Sequence, residues 1–563
     1  MPQKPAKQLC KALTSCALMG LWLWASLPAV SQAEISAQPL EPLTGNATAR
    51  GIGVLDPGRD GGLPLDIWQG IDGALASALL ADLPNDSQLV ELRELARRVL
   101  TSTVKPPAMA SEDFAFERVQ ALLQLGYFNH ARNLAEAARP QDEDRAQRLM
   151  ATADLLAGDT ASACAVLREV DRAASPPDGF WERVDLVCQA LDGNRGAVGF
   201  LSNLLRETGN TPEILFIAAN ALVIDDASAA FDDQDAPFAG LDAITNPMAF
   251  ALLSRLGLTV PETASLRDRL IWLNQQQAPL KQRTPALSYA VALAQAGWLN
   301  GDELRDRIAL AGFETEDLID PLGRDEADLP GGNRISLLLE AAASEAIDAA
   351  KAELLATAWA DAKPVAGGVT ELLAEMIASV EPGPGTNAIA PAAFLLFSAL
   401  DDAERAVPWL RQTSQRPAAA IGQFIRQMDR RSGTPATMPN TALYADLLPV
   451  ARAAQQALQR EQPTGIAQSA TMVGLGQDQA NIAALTTLLT APADTTGQAQ
   501  VVLAALLLAG NQGMASLSPV LVNLLTGSLY RVGLEEEARR FARAVVLAKA
   551  TELGLDGVIG IPR

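Results

Sequence analysis

Three glycines, each set five residues before a small side chain, constrain this chain most. Gly126 leads to Ala131, Ala135 and Ala138; Gly158 leads to Ala163, Leu167 and Val170; Gly533 leads to Ala538, Ala542 and Val545. Glycine permits the tight reversal that ends one helix, and a small residue lets the next helix lie close against it. The recurrence therefore predicts helix–turn–helix pairs packed through Gly126, Ala131, Gly158, Ala163, Gly533 and Ala538. Gly126 and Gly158 stand 32 residues apart and Gly193 follows after 35, where the spacing to a small residue breaks, as it does at Gly297.

The stretches between these turns carry apolar residues at intervals of three and four. Leu89, Leu92, Leu95, Ala96 and Leu100 form one stripe, with Glu91, Glu94, Arg97 and Arg98 on the other side. Thr211-Pro212-Glu213 and Pro140-Gln141-Asp142-Glu143 place proline and acid where helices begin. Alternating strand patterns are scarce, alanine is abundant and aromatic residues are only 5% of the chain. The expected fold class is all-α.

The phrases Leu125-Gly126-Tyr127-Phe128-Asn129-His130-Ala131 and Val532-Gly533-Leu534-Glu535-Glu536-Glu537-Ala538-Arg539 resemble a degenerate tetratricopeptide repeat, over residues 112–206 and again over 519–550. The resemblance implies an α-solenoid of antiparallel helix pairs with a concave partner-binding surface. Hairpins of another α-solenoid, or of an α-helical toroid, would give much of the same signal. The layout is also similar to that of exported helical-repeat proteins of undefined role, from which no active site is carried over.

The first residues read as an export signal. Lys4, Lys7 and Lys11 precede an uncharged run from Ala12 to Gln32, and Ser31-Gln32-Ala33 offers a small-residue cleavage site before Glu34. A retained anchor is the competing reading; Pro28 and the small exit residues favour cleavage. In Leu13-Thr14-Ser15-Cys16 the apolar run follows the cysteine instead of preceding it, which excludes a lipoprotein box. Later apolar runs, Leu215 to Ile224 and Val501 to Ala509, are too short to span a bilayer. The expected location is periplasmic or secreted, without stable membrane insertion.

The 44 basic and 66 acidic side chains give a net charge of −22, and loss of residues 1–33, with three lysines and no acid, takes it to −25. Nucleic acid would be repelled. Cys164 and Cys188 remain after cleavage. They flank the break Ser175-Pro176-Pro177-Asp178-Gly179 at equal distance, each 12 residues from Pro176. In an antiparallel pair both then lie roughly 18 Å from the bend. Two readings stand: a disulfide, which an exported chain can keep, or two small buried apolar side chains.

Reactive chemistry finds little support. No Gly-Lys pair exists for a phosphate loop, and Gly474-Leu475-Gly476 lacks a third glycine. Ser102-Thr103-Val104-Lys105 matches Ser-x-x-Lys without its companion motifs. His130 is the lone histidine, so it reads as a surface or packing residue and no zinc set can form. Asp225, Asp226, Asp232, Asp233 and Asp235 lack calcium-loop spacing and read as a solvated loop. Arg411, Arg416, Arg426, Arg430 and Arg431 read as a solvated helix face. Neither a catalytic residue, a metal site nor a cofactor is expected.

The expected organisation is a signal at 1–33, an extended leader at 34–65, a helical-repeat region at 66–380, and a second helical block at 381–563 with a looser 411–479 segment and capping C-terminal helices. The expected function is an interaction scaffold for a protein partner. The competing classes are an envelope enzyme acting on glycan, for which no Glu-Ser pair exists in the sequence, and a structural spacer.

Overall fold

The computed structural model describes residues 51–558 apart from 210, 225–230, 232–235, 277–284, 325–328, 330–332, 365, 414–415, 429–436, 460–478 and 493–495. The signal segment 1–33, the five aspartates of 225–235, Arg430, Arg431 and Gly474-Leu475-Gly476 lie outside the described residues. So does the side chain of Arg416. Among the described residues the fold is all-α, with 24 α-helices and only isolated bridges between extended residues. No described helix is long and apolar enough to cross a membrane.

Helices begin where the local chemistry lets them. The Asp142 side chain accepts the Arg145 N–H to start Glu143–Leu156, and Asp159 accepts from Ser162 to start Thr160–Glu169. Asn300 and Glu303 form a reciprocal capping box at the head of Gly301–Ala309. The stripe expected over Leu89 to Leu100 is buried along Val90–Thr101. At the turns, Gly126 and Gly158 take φ of 80° and 81°. A Cβ at Gly126 would come within 2.5 Å of Trp298, and one at Gly158 within 2.3 Å of the Asn274 carbonyl.

Most helices pack on their neighbour in sequence: Phe114–Gln124 on Phe128–Ala138, that helix on Glu143–Leu156, and Phe180–Leu191 on Arg195–Thr208. Contacts also join distant parts of the chain. Val90–Thr101 packs against Gln498–Ala509 and Glu535–Glu552, so early and late helices share a seam. Arg98 and Glu537 form an ion pair of 2.7 Å across it. One connected apolar core includes residues from Leu63 to Leu555.

The joins between distant segments follow a common pattern. The last carbonyls of a helix have no partner within it and need donors from elsewhere. Gln275 donates to the Leu155 carbonyl at 2.6 Å, Gln295 to Ala362 at 2.7 Å, and Arg118 to Leu100 at 2.8 Å. Arg531 does the same for Leu489. Side-chain amides and guanidiniums thus satisfy helix ends supplied by other segments, Gln275 and Arg118 from buried positions.

Residues 51–65 run without regular structure beside the end of Val90–Thr101, where Val54 and Leu55 both donate to the Thr101 carbonyl. The described part of 411–479 includes the helices Arg416–Gln427 and Leu448–Leu458, with Ile421, Ile425, Ala451 and Ala454 buried.

Candidate functional site

A groove of ≈ 1030 Å³ opens beside the hairpin formed by Thr160–Glu169 and Phe180–Leu191. Cys164 and Cys188 lie in its lining and are joined as a disulfide, with Cα atoms 5.9 Å apart. Of the two readings open in the sequence, the structure takes the cross-link. Its physical basis is the equal spacing of both cysteines from the turn: the two helices run back along each other and bring the side chains level.

Opposite charges line the groove. Arg168 donates from Nε to the Cys164 carbonyl at 3.1 Å, and Arg172 pairs with Asp185 at 2.9 Å. Gln189 donates to the other Asp185 oxygen at 3.1 Å. Asp171, Asp192 and Arg255 add further charge, while Leu167, Val170 and Leu191 supply apolar surface. This combination suits a ligand that offers both charge and hydrocarbon.

A polar network holds the connecting loop. Asp144 accepts from Ser175 at 2.5 Å, from Trp181 Nε1 at 3.2 Å and from Arg148 Nε at 2.6 Å. Arg148 also donates to Asp178 at 2.5 Å. Burial opposes ionisation of Asp144, but these donors outweigh it and hold the carboxyl below its ordinary range. Asp178 is lowered in the same way: burial acts against it, and Arg148 and the Phe180 N–H prevail.

The remaining sequence candidates occupy other places. Ala131, Ala163 and Ala538 are fully buried, each in the helix after its glycine. Gly126 and Gly158 abut residues of distant helices, whereas Gly533, at φ 84°, has only Gln498 Nε2 near, at 3.8 Å. These positions do not converge on the groove. His130 is half-buried, with Arg97 Nη1 at 3.0 Å from Nε2 and Tyr127 edge-on at 5.8 Å. Burial and then the Arg97 charge push its pKa down. Ser102 is buried, donating to the Arg98 carbonyl at 2.6 Å and accepting the Leu63 N–H at 2.9 Å, so its hydroxyl serves structure. Arg411 is exposed. Among the described residues no group of three His, Cys, Asp or Glu is placed to hold a metal ion.

Sequence reasoning missed the buried arginines. Arg93 and Arg118 are each 1% exposed. A signal existed: Arg93 sits four residues after Leu89 and seven before Leu100, and Arg118 sits four after Phe114 and four before Leu122, so both interrupt apolar stripes. A charge at such a position needs acceptors from another segment.

No protein-family model, curated protein or solved structure matches the chain.

Proposed function

We propose that the protein is an exported interaction scaffold, an α-solenoid of tetratricopeptide-like helix pairs working in the periplasm or outside the cell, whose disulfide-stapled groove takes a protein partner. The groove beside Cys164–Cys188 carries the reading. It is wide enough for several side chains, its walls come from two disulfide-linked helices with the loop residues 170–173 and Arg255, and its lining mixes charge with hydrocarbon. Rigid helix pairs present such a surface at little entropic cost on binding. The disulfide supports the compartment, because such bonds persist where thiols are not kept reduced. The proposed sources of affinity are Arg168, Asp171 and Asp192 at the rim and the apolar patch of Leu167 and Val170 at the floor.

The test is quantitative capture from the cell envelope with the wild-type chain and with Arg168→Glu and Asp192→Lys, both exposed positions. A partner recovered at a fixed ratio by the wild type and lost with both variants supports the proposal. Equal recovery with all three chains removes the groove from it, and turnover of isolated cell-wall material by the purified chain would replace it with an enzymatic role.

A further inference from the structure

The seam between early and late helices holds a carboxyl group that takes no part in the groove. Glu91 stands in the first turn of Val90–Thr101, the helix that packs on Gln498–Ala509 and Glu535–Glu552. Its Oε2 is sealed from solvent and accepts no hydrogen bond. Two charged groups act on it from other elements: Arg540 on Glu535–Glu552 favours its ionised form, and Glu371 on Gly368–Ala378 opposes it.

Neither group neutralises Glu91 by contact. Arg540 lies 3.9 Å from Glu536, a residue of its own helix, and Glu371 accepts the Gly301 N–H at 2.8 Å. Two turns along Val90–Thr101 the same helix pair is tied by Arg98 and Glu537. On its own helix, Glu94 pairs with Arg97, which in turn meets His130. The seam therefore has one satisfied ion pair and, at its other end, a carboxyl whose Oε2 has no donor. An ionised carboxylate in that position is strained by lost hydration, whereas the protonated acid is tolerated.

We propose that Glu91 is a protonation latch: its neutral form holds Val90–Thr101 against Glu535–Glu552, and its ionisation loosens that packing. Burial first, and Glu371 after it, raise the carboxyl to about 7 against the opposing influence of its own backbone and Arg540. The folded state thus retains a proton that an unfolded chain would release near pH 4.5. Stability contributed by this proton is complete below that pH and is lost as pH rises through about 7. The change falls near neutrality, where an envelope protein would meet it.

The test is hydrogen exchange of the full chain from pH 4.5 to above 7, corrected for intrinsic rates, with protection read in Val90–Thr101 and Glu535–Glu552. Wild-type protection in these helices is expected to fall by up to about tenfold for each pH unit over which the folded and unfolded carboxyls differ in charge. Glu91→Gln flattens the response. Arg540→Gln moves the transition to higher pH and Glu371→Gln moves it to lower pH, and these opposite displacements decide the matter even if Glu91→Gln fails to fold. A wild-type profile without pH dependence, or transitions that Arg540→Gln and Glu371→Gln leave in place, would overturn the latch.

Discussion

Arg93 reaches across 204 residues of sequence to donate from Nη1 to the Gly297 carbonyl at 2.7 Å, while its guanidinium lies 3.8 Å over the ring of Trp298. Its second nitrogen donates to the Leu125 carbonyl at 2.7 Å. One buried cation thus closes two turns and stacks on an aromatic face, holding the early hairpin to the helix pair near residue 300. Arg93→Met would leave both carbonyls without that donor and is expected to cost about 3–5 kcal/mol. Arg93→Lys keeps the charge but loses the planar fork, at a cost of about 2 kcal/mol. Urea unfolding midpoints check both values and their order.

The glycines at the repeat turns separate into two grades. Gly126→Ala and Gly158→Ala combine left-handed backbone strain with a collision against Trp298 or the Asn274 carbonyl, for an expected loss of about 3 kcal/mol each. Gly533→Ala meets no atom closer than 3.8 Å and should show only the backbone cost, about 1–2 kcal/mol. Thermal denaturation of the three variants provides the comparison, and equal losses would mean that the distant contacts do not bear on these turns.

The disulfide closes a separation of 24 residues, so removing it through a Cys164→Ser, Cys188→Ser double variant should cost about 3 kcal/mol by the chain-entropy estimate. The same loss should follow reduction of the wild type. Proteolysis within 170–179 should rise in parallel if the staple also holds the loop beside the groove.

Asp154 supplies a pH signature of its own. Its side chain is 4% exposed and pairs with Arg132 at 2.9 Å, yet Oδ2 has no hydrogen-bond donor. Burial, with Asp159 adding to it, raises the carboxyl to about 6 although Arg132 acts in the opposite direction. A carboxyl raised in the folded state stabilises below its unfolded value and loses that contribution as pH climbs through the folded one, here from 3.8 to about 6. Asp144 and Asp178 are lowered and act oppositely: their contribution is present above the ordinary carboxylate range and is lost on acidification. The contributions of these three carboxyls are therefore jointly largest near their ordinary value of 3.8, with Asp144 and Asp178 losing theirs below it and Asp154 losing its own above it. Asp154→Asn should flatten the decline toward neutrality by about 1 kcal/mol after solvent screening is allowed for.

Local order was well written into the sequence. Leu89 to Leu100 identified a helix because the buried face repeats with helical period, and Cys164 and Cys188 offered a cross-link as one of two readings because their turn sits midway between them. Asp142 announced its helix through a capping side chain. The joins between distant segments were far less legible. Gly126 revealed a turn but not that Trp298 fills the space beside it, since nothing local specifies a neighbour so remote. Arg93 and Arg118 broke their apolar stripes, yet a buried cation names only the kind of acceptor it needs, not the helix end that supplies it. The groove arises from two helices and the end of a third at Arg255, so its lining has no common sequence motif.

The central functional claim is that the groove beside Cys164–Cys188 receives a protein partner. A photo-crosslinking side chain placed at Arg168 or Asp192, and at exposed Glu404 as a control, tests it most directly in intact cells. The account predicts one discrete adduct of defined mass from both groove positions and none from the control. Adducts equally abundant at all three positions, or absent from the groove while present at Glu404, would contradict it.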